Sequence, residues 1–91
     1  MSELPQRVTP SPQVVFQELE GEAVLLDLGA ERFFELNPVG TRIWQLFAEQ
    51  PDVASVREQL LEEFDVEADT LNSDLSNLIA RLSEAGLVSV E

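Results

Sequence analysis

The hydrophobic pattern of this chain changes period once, at Asn37-Pro38, and that switch constrains the fold more than any other feature. Before it, apolar residues fall in short β-favouring runs: 14–19 (VVFQEL), 22–28 (EAVLLDL) and 32–36 (RFFEL). After it they recur at three- and four-residue spacing, the period of a helix with one buried face. Only Glu20-Gly21 separates the first two runs. Gly21 reaches positive φ at low cost, so this pair reads as a hairpin turn. Gly29-Ala30-Glu31 leads into the third run, and three short strands with tight connections make an antiparallel meander.

Asn37 has a capping side chain and Pro38 suits a first helical turn, so a helix starts there. It carries Val39, Ile43, Trp44 and Phe47 on one stripe and closes at Pro51. Gly40 within it costs about 1 kcal/mol relative to alanine, which points to a close approach of another element. A second helix starts either at Asp52 or at Ser55, the latter with Glu58 at capping-box spacing, and turns Val56, Leu60, Leu61 and Phe64 inward. The third and longest spans about 67–85 with Leu71, Leu75, Leu78, Ile79 and Leu82 on its apolar stripe. Gly86 supplies the left-handed residue that ends it. The tail 87–90 is apolar and is expected to pack back on the helices. Residues 1–12, with three prolines, read as a flexible N-terminal arm, leaving 13–91 as one domain. Strands followed by helices give an α+β fold of winged-helix character, a three-stranded antiparallel meander with three helices on one side.

Composition narrows the function. A 91-residue chain has little room for a core plus a deep catalytic cavity. There is no histidine and no cysteine, which removes disulfides, zinc fingers, thiol nucleophiles and a Ser–His–Asp triad. Eighteen acidic residues stand against five arginines, for a net charge of -13, so a nucleic-acid backbone would be repelled. The third helix makes the same point locally: it sets Asp69, Asp74 and Glu84 against the single Arg81, which disfavours a winged-helix DNA-binding regulator. No run has the composition of a signal peptide or a membrane span, so no membrane partner and a cytoplasmic location are expected. Asp65, Glu67 and Asp69 imitate the start of a calcium loop, but position six is Thr70 and position twelve is Ser76. No metal, no cofactor and no catalytic residue are therefore expected. The acids concentrate late in the chain, with a net charge of -4 over 1–45 and -9 over 46–91, and are expected to border any binding groove on the helices.

The third run departs from simple alternation. Arg32-Phe33-Phe34-Glu35-Leu36 puts a phenylalanine on each face of the strand. Phe34 and Leu36 form the core-facing pair, leaving Phe33 beside Glu35. Phe33 either packs under the N-terminal arm or lies on an open face of an unpaired edge strand, a site for adding a peptide strand.

The segments ELEGEAVLLDL (18–28), RFFELNPVGTRIWQLF (32–47) and LLEEFDVEADTLNSDLSNLIARLSEAGLV (60–88) resemble the PqqD-like family, the recognition elements of ribosomally made, post-translationally modified peptides. The resemblance implies a non-enzymatic peptide-recognition domain over 13–91 that binds the leader segment of a precursor peptide as an added antiparallel strand. It puts the strand platform at Glu31, Arg32, Phe33, Phe34 and Glu35, with Phe34 on the groove floor and backbone groups of 32–35 making the ladder. The groove wall it implies is Asp74, Leu75, Leu78, Arg81 and Leu82, with Arg81 and Asp74 as charged anchors. Where pyrroloquinoline quinone members carry a cysteine-containing segment after the first helix, this chain has Leu46-Phe47-Ala48-Glu49-Gln50-Pro51. EGEAVLLDL and LNPVGTRIW are instead similar to free-standing members of lasso peptide pathways. Those work beside a leader peptidase and a macrolactam-forming cyclase; the quinone-pathway peptide chaperone is the alternative.

Overall fold

The computed structural model describes residues 4–91. In chain order it forms β1 (Val8–Pro10), β2 (Val14–Leu19), β3 (Glu22–Asp27), β4 (Arg32–Leu36), α1 (Pro38–Glu49), α2 (Val53–Glu63), α3 (Ala68–Glu84) and β5 (Val88–Val90). The order β2-β3-β4 is the expected antiparallel meander. Its register sets Phe16 beside Leu25 and Leu25 beside Phe34 on one face, and Val15 beside Leu26 and Leu26 beside Phe33 on the other. Glu20 and Gly21 both take left-handed conformations, φ 56° and 84°, as a two-residue turn matched to the strand twist requires. In the β3–β4 link the Asp27 carboxylate accepts from the amides of Gly29 and Ala30, and Glu31 closes the turn at φ 55°.

Side-chain caps start α1 and α2. The Gly40 amide donates to Asn37 Oδ1 at 2.7 Å. Asp52, not Ser55, caps α2: the Ser55 amide and hydroxyl both donate to Asp52 Oδ2, at 3.2 and 2.6 Å. Ser55 is thus inside the helix as a donor, and the capping box with Glu58 does not form. Gly86, at φ 75°, ends α3. The close approach at Gly40 is to its own flank: a Cβ there would meet Asn37 Oδ1 at 3.2 Å and Leu36 Cδ2 at 3.3 Å. Its absence lets β4 run directly into α1.

Both chain ends differ from a free arm and a tail lying on helices. β1 and β5 pair antiparallel, Val8 opposite Val90 and Pro10 opposite Val88, as a second two-stranded sheet. Val8 is fully buried, and Leu87 and Val88 are buried with it. A three-residue strand with one inward side chain leaves no periodic signal, and its backbone partners are remote in sequence: the Val8 amide donates to the Pro51 carbonyl, and the strand pairs with β5 some 80 residues away. Residues 1–3 of the expected arm lie outside the described residues. The core gathers Leu25 and Leu36 from the sheet, Ile43, Trp44 and Phe47 from α1, Val56 and Leu60 from α2, and Leu71, Leu75, Ile79 and Leu82 from α3. Helices therefore cover one face of the meander.

Candidate functional site

Among the described residues β4 has a neighbour on one side only. Which backbone groups it leaves free follows from the register. A two-residue turn closes on a hydrogen-bonded pair, here Leu19–Glu22, so Val24 and Leu26 also direct their backbone groups toward β2. Ala23, Leu25 and Asp27 then bond to Leu36, Phe34 and Arg32. The N–H and C=O groups of Phe33 and Glu35 are left facing the open edge. The expected ladder over Arg32 to Glu35 is thus corrected to alternate residues, because antiparallel backbone groups alternate sides. Glu31 lies outside β4 in a left-handed turn, which stops the extended edge at Arg32.

Beside this edge runs a cleft of about 330 Å³ between β4 and α3. Half-buried Phe34 and buried Leu36 supply apolar surface from the strand. Asp74, Asn77, Leu78 and Arg81 line it from α3, and Val39, Gly40 and Ile43 from the start of α1. Leu75 and Leu82, expected on the groove wall, are fully buried in the core and do not line it. The reason is angular: α3 points 71, 75, 79 and 82 inward, whereas 74, 77, 78 and 81 form the adjacent stripe at i, i+3, i+4 and i+7. Leu78 sits on the border between stripes, so a purely apolar pattern merges them. Asn77 was legible from that second spacing; the α1 contribution was not, because it depends on where β4 delivers the chain.

The charges in the cleft are few. The Arg81 guanidinium lies over the Phe34 ring, 5.1 Å from its centroid, a contact worth about 0.5–1 kcal/mol at exposed sites. Among the described residues it makes no salt bridge. Asp74 is two helical turns away, roughly 10.5 Å along the axis. With Glu35 these are the only charged residues lining the cleft among the described residues, so the acids of α2 do not border it as expected from the charge distribution. They act in the scaffold instead: Arg42 on α1 donates through Nε and a terminal nitrogen to Glu63 on α2, both at 2.8 Å. Those bonds, with one from the Gln59 amide, hold the Glu63 carboxyl down at about 2, and the same pairing raises Arg42. Arg57 similarly ties α2 to Asn72 on α3. No cluster of metal-ligating side chains occurs among the described residues, and none of their helices is long and apolar enough to cross a membrane.

Phe33 is 67% exposed, so the described part of the N-terminal arm does not cover it. The site is therefore a free strand edge with an amphipathic trough on its helix side.

The model of the family described as Coenzyme PQQ synthesis protein D (PqqD) matches residues 22–88, a span that contains β4 and all of α3. The chain belongs to the PqqD family. No curated protein sequence matches it. Among solved structures, TbiB1 in complex with the TbiA(beta) leader peptide is similar at a TM-score of 0.83 and 30% identity, over 89% of this chain and 94% of that one. Lasso peptide synthetase B1 complexed with the leader peptide is similar at a TM-score of 0.79 over 91% of this chain and 98% of that one; at 24% identity this is a likeness of fold. This PqqD-family chain thus shares its architecture with two proteins solved with leader peptides bound.

Proposed function

We propose that this protein captures the leader segment of a ribosomally made precursor peptide by strand addition at β4 and presents it to the processing enzymes of a lasso peptide pathway. The observation that carries this reading is the open edge of β4, where Phe33 and Glu35 offer two donors and two acceptors beside a cleft shaped for side chains. Alternate leader residues would enter the trough over Phe34 and against Leu78. Arg81 would face a leader carboxylate and Asp74 a leader lysine or arginine. The protein itself is a non-catalytic accessory: a leader peptidase and a macrolactam-forming cyclase perform the chemistry.

Ladder bonds contribute about 0.5–1.5 kcal/mol each. With two or three buried side chains, that corresponds to a complex near the micromolar range, about -8 kcal/mol. The test is calorimetric titration with the leader of the co-encoded precursor, followed by amide exchange. Saturable binding with slowed exchange at Phe33 and Glu35 is expected. Binding that leaves both amides unprotected would place the peptide elsewhere. The family description makes a quinone-pathway precursor peptide the natural second titrant, and tighter binding of that peptide would reassign the pathway.

A further inference from the structure

The cleft between β4 and α3 has a direction. On the strand side its lining starts at Phe34 and continues through Leu36 to Ile43 of α1; on the helix side it runs from Arg81 back through Leu78 to Asp74. Arg81 lies over Phe34, so the two walls meet at that end and α3 runs opposite to β4. Asp74 therefore stands at the far end, toward Leu36 and α1.

Charge is divided between the two ends. Arg32 shares the Phe34 face by alternation and lies just beyond the Arg81 end, so two guanidinium groups mark that end and one carboxylate marks the other. Glu35 offers the cleft its backbone, because alternation turns its side chain to the opposite face, beside Val24. Neither Arg32 nor Arg81 forms a salt bridge among the described residues. Asp27, the cross-strand neighbour of Arg32, gives its carboxylate to the amides of Gly29 and Ala30, and Glu84 is exposed three residues beyond Arg81.

Register turns this division into a sequence rule. A strand paired antiparallel to β4 bonds at Phe33 and Glu35, and its residues opposite Leu36, Phe34 and Arg32 face the trough in that order, two apart. The first and last of these are roughly 14 Å apart at 3.4 Å per residue, against roughly 10.5 Å between Asp74 and Arg81 along α3. Long side chains close that difference.

We infer that the cleft selects leaders by the order of their charges: a lysine or arginine opposite Leu36, an apolar residue over Phe34 two positions later, and an aspartate or glutamate opposite Arg32 two positions after that. This rests on the leader-binding reading and makes it directional. The reversed order sets an acid against Asp74 and a base against Arg81 and Arg32, and like charges brought together reject the wrong partner. The net charge of -13 cannot make this distinction, since two peptides of equal composition feel it equally.

The experiment titrates the full chain with the co-encoded leader and with two altered forms of it. Amide exchange on the bound leader first marks the two alternate residues whose amides β4 protects. The residues immediately outside them are then made Lys and Glu, in that chain order in one peptide and reversed in the other. Wild type is expected to bind the lysine-first peptide at least about threefold more tightly, a ratio that two exposed ion pairs supply. Asp74 and Arg81 are both exposed, so Asp74→Arg combined with Arg81→Glu leaves the fold intact, and in that variant the preference should disappear or reverse. A smaller ratio in wild type, a preference kept by the double variant, or loss of both altered peptides while the unaltered leader binds overturns the proposal. Failure of wild type to bind even the unaltered leader would instead remove the leader-binding reading on which it rests.

Discussion

Phe34 is half-buried between two environments: its inner edge meets Leu25 across the sheet, and Arg81 lies over its ring. The guanidinium is thereby positioned with no carboxylate partner among the described residues. Arg81→Gln is expected to change unfolding free energy by no more than about 1 kcal/mol, the size of an exposed cation–π contact. Leader affinity should fall several-fold more than that loss of stability would explain, as read by paired urea melts and titrations. Glu63 is the residue whose ionisation the fold controls. Its folded value near 2 lies below the ordinary 4.5, so the ion pair contributes fully above 4.5 and is lost as pH falls through 2. The Tm gap between wild type and Glu63→Gln should be present at neutral pH, shrink over that window, and also shrink in high salt, because the pair is solvent-accessible. A gap that grew on acidification would reverse the assignment.

At the scale of elements, α3 serves two masters on neighbouring stripes. Leu75 is fully buried, so Leu75→Ala should cost about 2–5 kcal/mol in unfolding free energy. Among molecules that remain folded, leader affinity should be nearly unchanged. Leu78 lines the cleft and is only partly buried, so Leu78→Arg should do the opposite, with stability near wild type and leader affinity reduced at least tenfold. Equal effects of the two changes on both measurements would mean that core and cleft are not separate faces. The cap of α1 was legible because Asn37-Pro38 acts within one turn of chain, whereas at α2 the sequence left Asp52 and Ser55 as alternatives that the hydrogen bonds to Asp52 decided. The groove residues were not fully so, since an apolar stripe alone does not reveal which flank of α3 meets β4.

The whole molecule is closed by pairing its two ends. β1 and β5 come from opposite ends of the described chain, and Val8 fills the core from their junction. Burying a valine contributes about 1.5–3 kcal/mol, so Val8→Ala should lower the denaturant midpoint clearly. Because Val8 is not among the residues lining the cleft, leader affinity measured well below that midpoint should stay within about twofold. The net charge of -13 also acts at this scale. With Glu35, Asp74 and Arg81 the only charges among the described residues lining the cleft, leader binding should depend weakly on salt.

What the sequence determined by itself is everything that works within a few residues: the switch of period at Asn37-Pro38, the Glu20-Gly21 turn, and the Gly86 stop. Local sterics and single hydrogen bonds suffice for these. The tertiary structure alone decided that the arm becomes β1 against β5, that Phe33 stays uncovered, and that Leu75 and Leu82 belong to the core while Leu78 and Arg81 face the cleft. It also decided that Phe33 and Glu35, rather than every residue of β4, turn their backbone groups to the open edge. Each of these depends on the register or angle between segments distant in sequence, which no local pattern encodes.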